Sequence, residues 1–163
     1  MIPQRPNVES PDKTGTLSHD WIIGFVDGEG CFYVGINKND EMRFGYQVLP
    51  EFTVVQHERD INLLHRLRST MRCGVVRRNH GDRFCWRVRD LKSLVQVIIP
   101  FFERHRLKSK KGVDFCKFAK IVKKMVAKEH LTEEGFTEIC RMVRTMNTCK
   151  RKEVRLKRES IPE

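Results

Sequence analysis

Trp21-Ile22-Ile23-Gly24-Phe25-Val26-Asp27-Gly28-Glu29-Gly30-Cys31-Phe32 is the stretch on which the fold turns. Its apolar run predicts a buried helix from about Trp21. Ser18 is placed as an N-cap, and Leu17 and Ile22 have the spacing of a hydrophobic staple. Gly24 and Gly28 lie one helical turn apart and share a face without side chains, where a second helix backbone could approach closely. The run ends in Asp27 and Glu29, each followed by glycine. A helix C-terminus already carries partial negative charge, so two carboxylates there call for compensation. A divalent cation would supply it, because carboxylates and free backbone carbonyls form a hard-oxygen site for Mg²⁺ or Ca²⁺. A plain glycine C-cap with solvated acids fits the same spacing, and the residues alone leave both readings open.

The 163 residues suffice for one domain with its own core. A formal net charge of +11 favours anionic partners, most simply nucleic acid. The charge is clustered. Arg104 to Lys128 holds ten Lys or Arg against Asp114 alone, and Arg66 to Lys92 holds nine against Asp82 and Asp90. The cysteines at 31, 73, 85, 116, 140 and 149 form no Cys-x-x-Cys pair, and most sit among apolar neighbours, as small core residues do. This pattern fits a reducing interior. No apolar run spans a bilayer and the polar N-terminus is no signal peptide, so the expected location is intracellular, in a bacterial cytoplasm or an organelle, with no membrane partner.

Three parts are expected: a loose N-terminal arm over residues 1–16, one domain over 17–147, and a basic tail over 148–163. Within the domain, Cys31 to Asn37 alternates as a strand, Lys38 to Glu41 is turn chemistry, and Arg43 to Gln56 is the return strand. Pro50 implies a bulge or an edge there. A helix carries Ile61, Leu64 and Leu67. A second hairpin follows, with Gly74 to Arg78 as one strand, a turn over Asn79 to Asp82, and Arg83 to Arg89 as the other. Phe84, Trp86 and Val88 face a core, whereas Arg83, Arg87 and Arg89 share the opposite face and need an anion or open water. Leu91 to Phe102 reads as a helix stopped by Pro100. Two more helices follow, from Val113 and from Thr132-x-x-Gly135. No second copy of the opening helix occurs, so one self-complementary helix implies closure as a C₂ dimer.

Ile22-Ile23-Gly24-Phe25-Val26-Asp27-Gly28-Glu29-Gly30 resembles the signature helix of LAGLIDADG homing endonucleases. Ile-Ile stands for Leu-Ala, and Glu29 stands where many members have Asp. The likeness extends from about Leu17 to about Asn147, with only the signature specific. It implies an α+β fold, an αββαββα core with additional C-terminal helices and a four-stranded antiparallel saddle-shaped sheet in each subunit. It also implies a homodimer packed through the signature helices at Gly24, Gly28 and Ile23, as in one-motif members. Glu29 would hold the metal, with the Gly28 carbonyl as a second ligand. Gln56 matches a polar group near the attacking water, and Lys108 a lysine beside the scissile phosphate. Arg59 is the nearest basic candidate beyond Gln56.

The implied activity is metal-dependent hydrolysis of both strands of a long, near-palindromic DNA site, promoting intron mobility. Mg²⁺ is the expected cofactor, Mn²⁺ an alternative, and Ca²⁺ a cation that binds without supporting cleavage. The strand faces would read the DNA through Tyr33, Asn37, Asn39, Gln47, Glu51, Thr53, Arg77, Asn79, Arg83 and Arg87. Arg suits guanine, and Asn or Gln suits adenine, in a major groove that admits a β-ribbon. The rival reading is an RNA maturase or a DNA-binding regulator without cleavage, with intron RNA as the partner in the first case. A small ribosomal or RNA-binding protein accounts for the charge but not for the carboxylates ending the helix.

Overall fold

The computed structural model describes residues 15–147. Helix α1 (His19–Glu29) is capped by Ser18, whose Oγ accepts from the Trp21 amide at 3.2 Å. Leu17 and Ile22 are both buried, completing the staple. The helix starts two residues before Trp21, and Trp21 is not buried. Its ring is 39% exposed and stacks on Phe25, with centroids 4.7 Å apart. Ile22, Ile23 and Val26 of this helix are buried in the core, and Phe25 packs against it half-buried. One apolar stripe suffices to seat it, and Trp21 lies off that stripe.

The element order after α1 is β1 (Gly30–Lys38), β2 (Tyr46–His57), α2 (Ile61–Met71), β3 (Val75–His80), β4 (Arg83–Val88), α3 (Leu91–Ser93), α4 (Ile99–Arg104), α5 (Lys111–Val126) and α6 (Glu133–Arg144). The strands form one antiparallel sheet in the order β1-β2-β4-β3. Together with the helices they make the expected α+β fold. Even-numbered residues of β1 and β2 face the helices: Phe32, Val34, Val48, Phe52 and Val54 are all buried. Phe32 meets Phe52, Phe102, Phe115 and Phe118 within 5.6 Å, tying the sheet to α4 and α5. The odd-numbered residues are left facing away from the helix layer.

Several boundaries differ from expectation. The return strand begins at Tyr46, not Arg43, because Asn39, Met42 and Gly45 close the turn on themselves through backbone bonds. Pro50 makes no bulge. It pairs with Val34 in regular register, and β4 joins β2 only from Phe52, so Pro50 lies where β2 is an edge. In the second hairpin, Asn79 and His80 belong to β3. The register shifts between Arg78 and His80, leaving Gly81 and Asp82 as the turn. Pro100 does not end its helix. A wider π turn over Leu94–Ile98 links α3 to α4, with the Ile99 amide donating to the Leu94 carbonyl, and Pro100 sits in the first turn of α4. Proline lacks the donor that position would leave unpaired, so the chain continues to Arg104.

Trp86 is the largest fully buried side chain. Its ring meets Phe52 edge-on at 5.4 Å, and its indole N–H donates to the Cys73 carbonyl at 2.9 Å. Trp86→Ala is expected to destabilise the domain by about 3–5 kcal/mol, read as a lower urea midpoint with an unchanged slope. Among the described cysteines, Cys85 and Cys140 are buried, Cys31 and Cys73 half-buried, and Cys116 exposed, all as free thiols. Cys116 departs from the expected core role, and Cys149 lies outside the described residues. So do most of the N-terminal arm (1–14) and the whole basic tail (148–163). No helix among the described residues is long and apolar enough to cross a membrane.

Candidate functional site

The C-terminus of α1 gathers the chemistry. No basic residue lies in its last turn. The cation that meets its carbonyls comes from α5: Lys111 Nζ donates to the Val26 and Asp27 carbonyls, each at 2.9 Å. Burial lowers the Lys111 pKa, against the opposing pull of Cys31, Asp27, Glu29 and Asp114. Gly30 then turns the chain from helix into β1. A Cβ there would stand 2.6 Å from Val26 Cγ1 and 2.9 Å from the Val26 carbonyl, so no larger residue fits without a shift.

The two acids at this end behave differently. Asp27 is fully engaged. Its Oδ2 accepts from the Lys108 amide at 2.7 Å, and its Oδ1 from the Ser109 amide at 3.1 Å and hydroxyl at 2.7 Å. Burial works against its ionisation, but these donors and the Lys111 charge outweigh it, so its pKa falls below the usual value. Glu29 is exposed and makes no side-chain hydrogen bond or ion pair among the described residues. A free carboxylate beside helix-end carbonyls fits a hard divalent cation. No three His, Cys, Asp or Glu side chains converge as a metal site among the described residues. Glu29 and the Gly28 carbonyl would therefore hold such an ion only in part, the other ligands coming from water, phosphate or a second chain.

Gln56 and Lys108 flank this end. Gly30 pairs with Val54, so Gln56, two residues on, lies at the same end of the sheet as Glu29. It is half-buried on the helix-facing side, opposite Phe84. Lys108 is exposed and lines a cleft with Asp20, Ile23, Gly24, Asp27, His105 and neighbouring arginines. Arg59 is exposed, and its Nε meets Asp60 at 3.4 Å. Gly24 and Gly28 are open: a Cβ on either would meet nothing within 4 Å. Ile23 reaches the surface only at the edge of that cleft. It is 8% exposed and packed in the core, leaving little of it for a partner chain.

On the sheet face away from the helices, Tyr33 is 51% exposed, and Asn37 and Arg77 are exposed. Thr53 pairs with Cys31 on one side and Arg87 on the other. The arginine row is partly neutralised from within. Glu51, half-buried, lies 3.4 Å from Arg87 Nε and bonds to Arg89. Arg83 stands 3.9 Å from Asp82, which also meets His57 at 2.8 Å. The expectation that the three arginines need an anionic ligand or open water is therefore narrowed: Glu51, from the chain itself, serves two of them. Gln47 accepts from Asn39 at 3.4 Å. Asn39 lies in the turn beyond β1, where its Oδ1 accepts from the Glu41 amide. Asn79 sits in the β3 irregularity. Sequence reasoning alone does not reach Ser109 and Lys111, and it offers Asp27 a cation where the structure gives it amide and hydroxyl donors. The available signal was a helix end lacking its own basic residue, eighty residues from a Lys-Ser-Lys-Lys run.

The chain thus joins a sheet with an outward basic face to a helix that ends in an exposed carboxylate and exposes a glycine face. The chain belongs to the LAGLIDADG endonuclease family, whose sequence profile matches residues 22–122. The homing endonuclease I-TnaI is similar in structure, with a TM-score of 0.79 and 53% identity, covering 82% of this chain and 90% of that one. I-SmaMI bound to an uncleaved DNA target in the presence of calcium ions gives a TM-score of 0.79 at 31% identity, over 84% of this chain and 48% of that one. A probable intron-encoded endonuclease of Neurospora crassa is 35% identical over 76% of this chain. The chain spans only 28% of that relative's length.

Proposed function

We propose that this chain is a site-specific DNA endonuclease that cuts both strands of a long site by metal-dependent hydrolysis, in the service of intron mobility. The supporting observation is Glu29, a free carboxylate held at the end of α1 beside the open faces of Gly24 and Gly28. Two copies packed through those glycines would bring two Glu29 side chains together at a twofold axis, each serving one strand. Mg²⁺ is the proposed cofactor, held by Glu29 and the Gly28 carbonyl, and it would stabilise the negative charge that builds on the attacking and leaving oxygens. Lys108 offsets charge at the scissile phosphate, and Gln56 orients water. One subunit covers about one turn of DNA, so a dimer covers about 20 base pairs, near-palindromic in sequence. The location is intracellular, wherever the target DNA resides.

The strand face supplies sequence reading, through Tyr33, Asn37, Gln47, Thr53, Arg77, Arg83 and Arg87. The basic helices supply phosphate contacts. Affinity should therefore fall steeply with salt, by about 10³-fold or more between about 50 and 200 mM, given about six or more phosphate contacts. A filter-binding titration checks this. The metal requirement is tested by exchange on one duplex substrate: cleavage with Mg²⁺, binding without cutting in Ca²⁺, and no cutting in EDTA. Cutting that persists in EDTA would overturn the metal reading.

A further inference from the structure

The loop joining α4 to α5 carries Lys108, and it is fastened to α1 by a closed ring of bonds. The Asp27 carboxylate takes three donors from Lys108 and Ser109. Ser109 Oγ accepts from the Lys111 amide at 3.2 Å, and Lys111 Nζ returns to the Val26 and Asp27 carbonyls. The bonds joining loop to helix span 81 to 85 residues of sequence, so nothing local enforces them. A carboxylate at a helix C-terminus is unfavourable on its own, and a glycine C-cap has no need of this one. Two of its three donors are backbone amides, which fix the path of the chain and not merely a side chain.

We propose that Asp27 is a positioning residue of the nuclease site, fixing the Lys108 backbone so that its ammonium stands in register with Glu29, two residues beyond Asp27. This rests on the roles given above to Glu29 and Lys108. Asparagine at 27 keeps one acceptor oxygen and turns an amide toward a donor, so the loop loses at least one anchor while the side-chain volume is kept. A misplacement of about 1 Å in such a site can cost on the order of 10²-fold in rate.

The test is a double-mutant cycle in single-turnover cleavage with Mg²⁺, with DNA affinity measured in Ca²⁺. Asp27→Asn is expected to slow cleavage about 10- to 100-fold with affinity nearly unchanged. In a Lys108→Met background, followed over hours, it should cause no further loss, because the positioned amine is gone. Ser109→Ala, which removes the hydroxyl bonds to Asp27 and from the Lys111 amide but keeps both backbone anchors, should give a smaller loss of the same kind and carries the cycle if Asp27→Asn fails to fold. Equal losses from Asp27→Asn with and without the Lys108 amine would overturn the proposal, as would unchanged cleavage in Asp27→Asn. Full cleavage by Lys108→Met would instead remove the role of Lys108 itself, and the positioning with it.

Discussion

Glu29→Gln is expected to lower the single-turnover rate of DNA cleavage by about 10³-fold or more and to leave DNA binding intact. The size follows from the several kcal/mol that a bound cation contributes to a phosphodiester transition state, at about 1.4 kcal/mol per tenfold. Glutamine matches glutamate in shape but ligates a hard divalent ion poorly. Within the described structure this carboxylate is exposed and makes no hydrogen bond or ion pair, acting on its surroundings only through its charge on Lys111. Removing a negative charge from a helix C-terminus also relieves an unfavourable interaction with the helix dipole, so the thermal midpoint should hold or rise slightly. Lost cleavage with a held midpoint is the signature of a group kept for function. Lost binding, or a collapsed midpoint, would make Glu29 structural.

Gly24→Leu should separate the proposed dimer into monomers and remove cleavage with it. In the single chain a Cβ at Gly24 meets nothing within 4 Å, so a side chain can start there without a clash at its first carbon. Leucine also favours the helix over glycine by about 0.8–1 kcal/mol, so the isolated chain should be no less stable. The damage falls between chains, where a leucine would hold apart two backbones that must approach closely. Trp21, stacked on Phe25 and 39% exposed, extends that open face with apolar surface. Sedimentation equilibrium gives the readout: a shift from dimer to monomer with the unfolding midpoint retained. A dimeric, fully active Gly24→Leu would show that the glycine face is not the interface.

Much of the fold can be read from local chemistry. Ser18 and Thr132 each announce a helix start, and the Thr132 hydroxyl does accept from the Gly135 amide. Alternation marks β1 and β2 as strands, and in β4 it sends Trp86 and Val88 to the core as expected, because one face of the sheet packs on helices. Local reading fails where a distant neighbour decides. Pro100 is tolerated because a π turn precedes it. Trp21 stays at the surface because Ile22, Ile23 and Val26 already fill the core contact of α1. Ile23, expected at the dimer seam, is drawn to that same core. In the site, Glu29 is legible from the motif alone, whereas the partners of Asp27 are not. They come from Lys108, Ser109 and Lys111, and only the folded chain brings that run to the end of α1.

The most direct measurement is cleavage selection. The purified protein is incubated with a genomic or randomised duplex library and Mg²⁺, with and without EDTA, and the new ends are sequenced. A metal-dependent endonuclease should give double-strand breaks concentrated at one long, near-palindromic site and none in EDTA. Binding without breaks would contradict cleavage and favour a regulator or an RNA maturase, to be pursued with structured intron RNA.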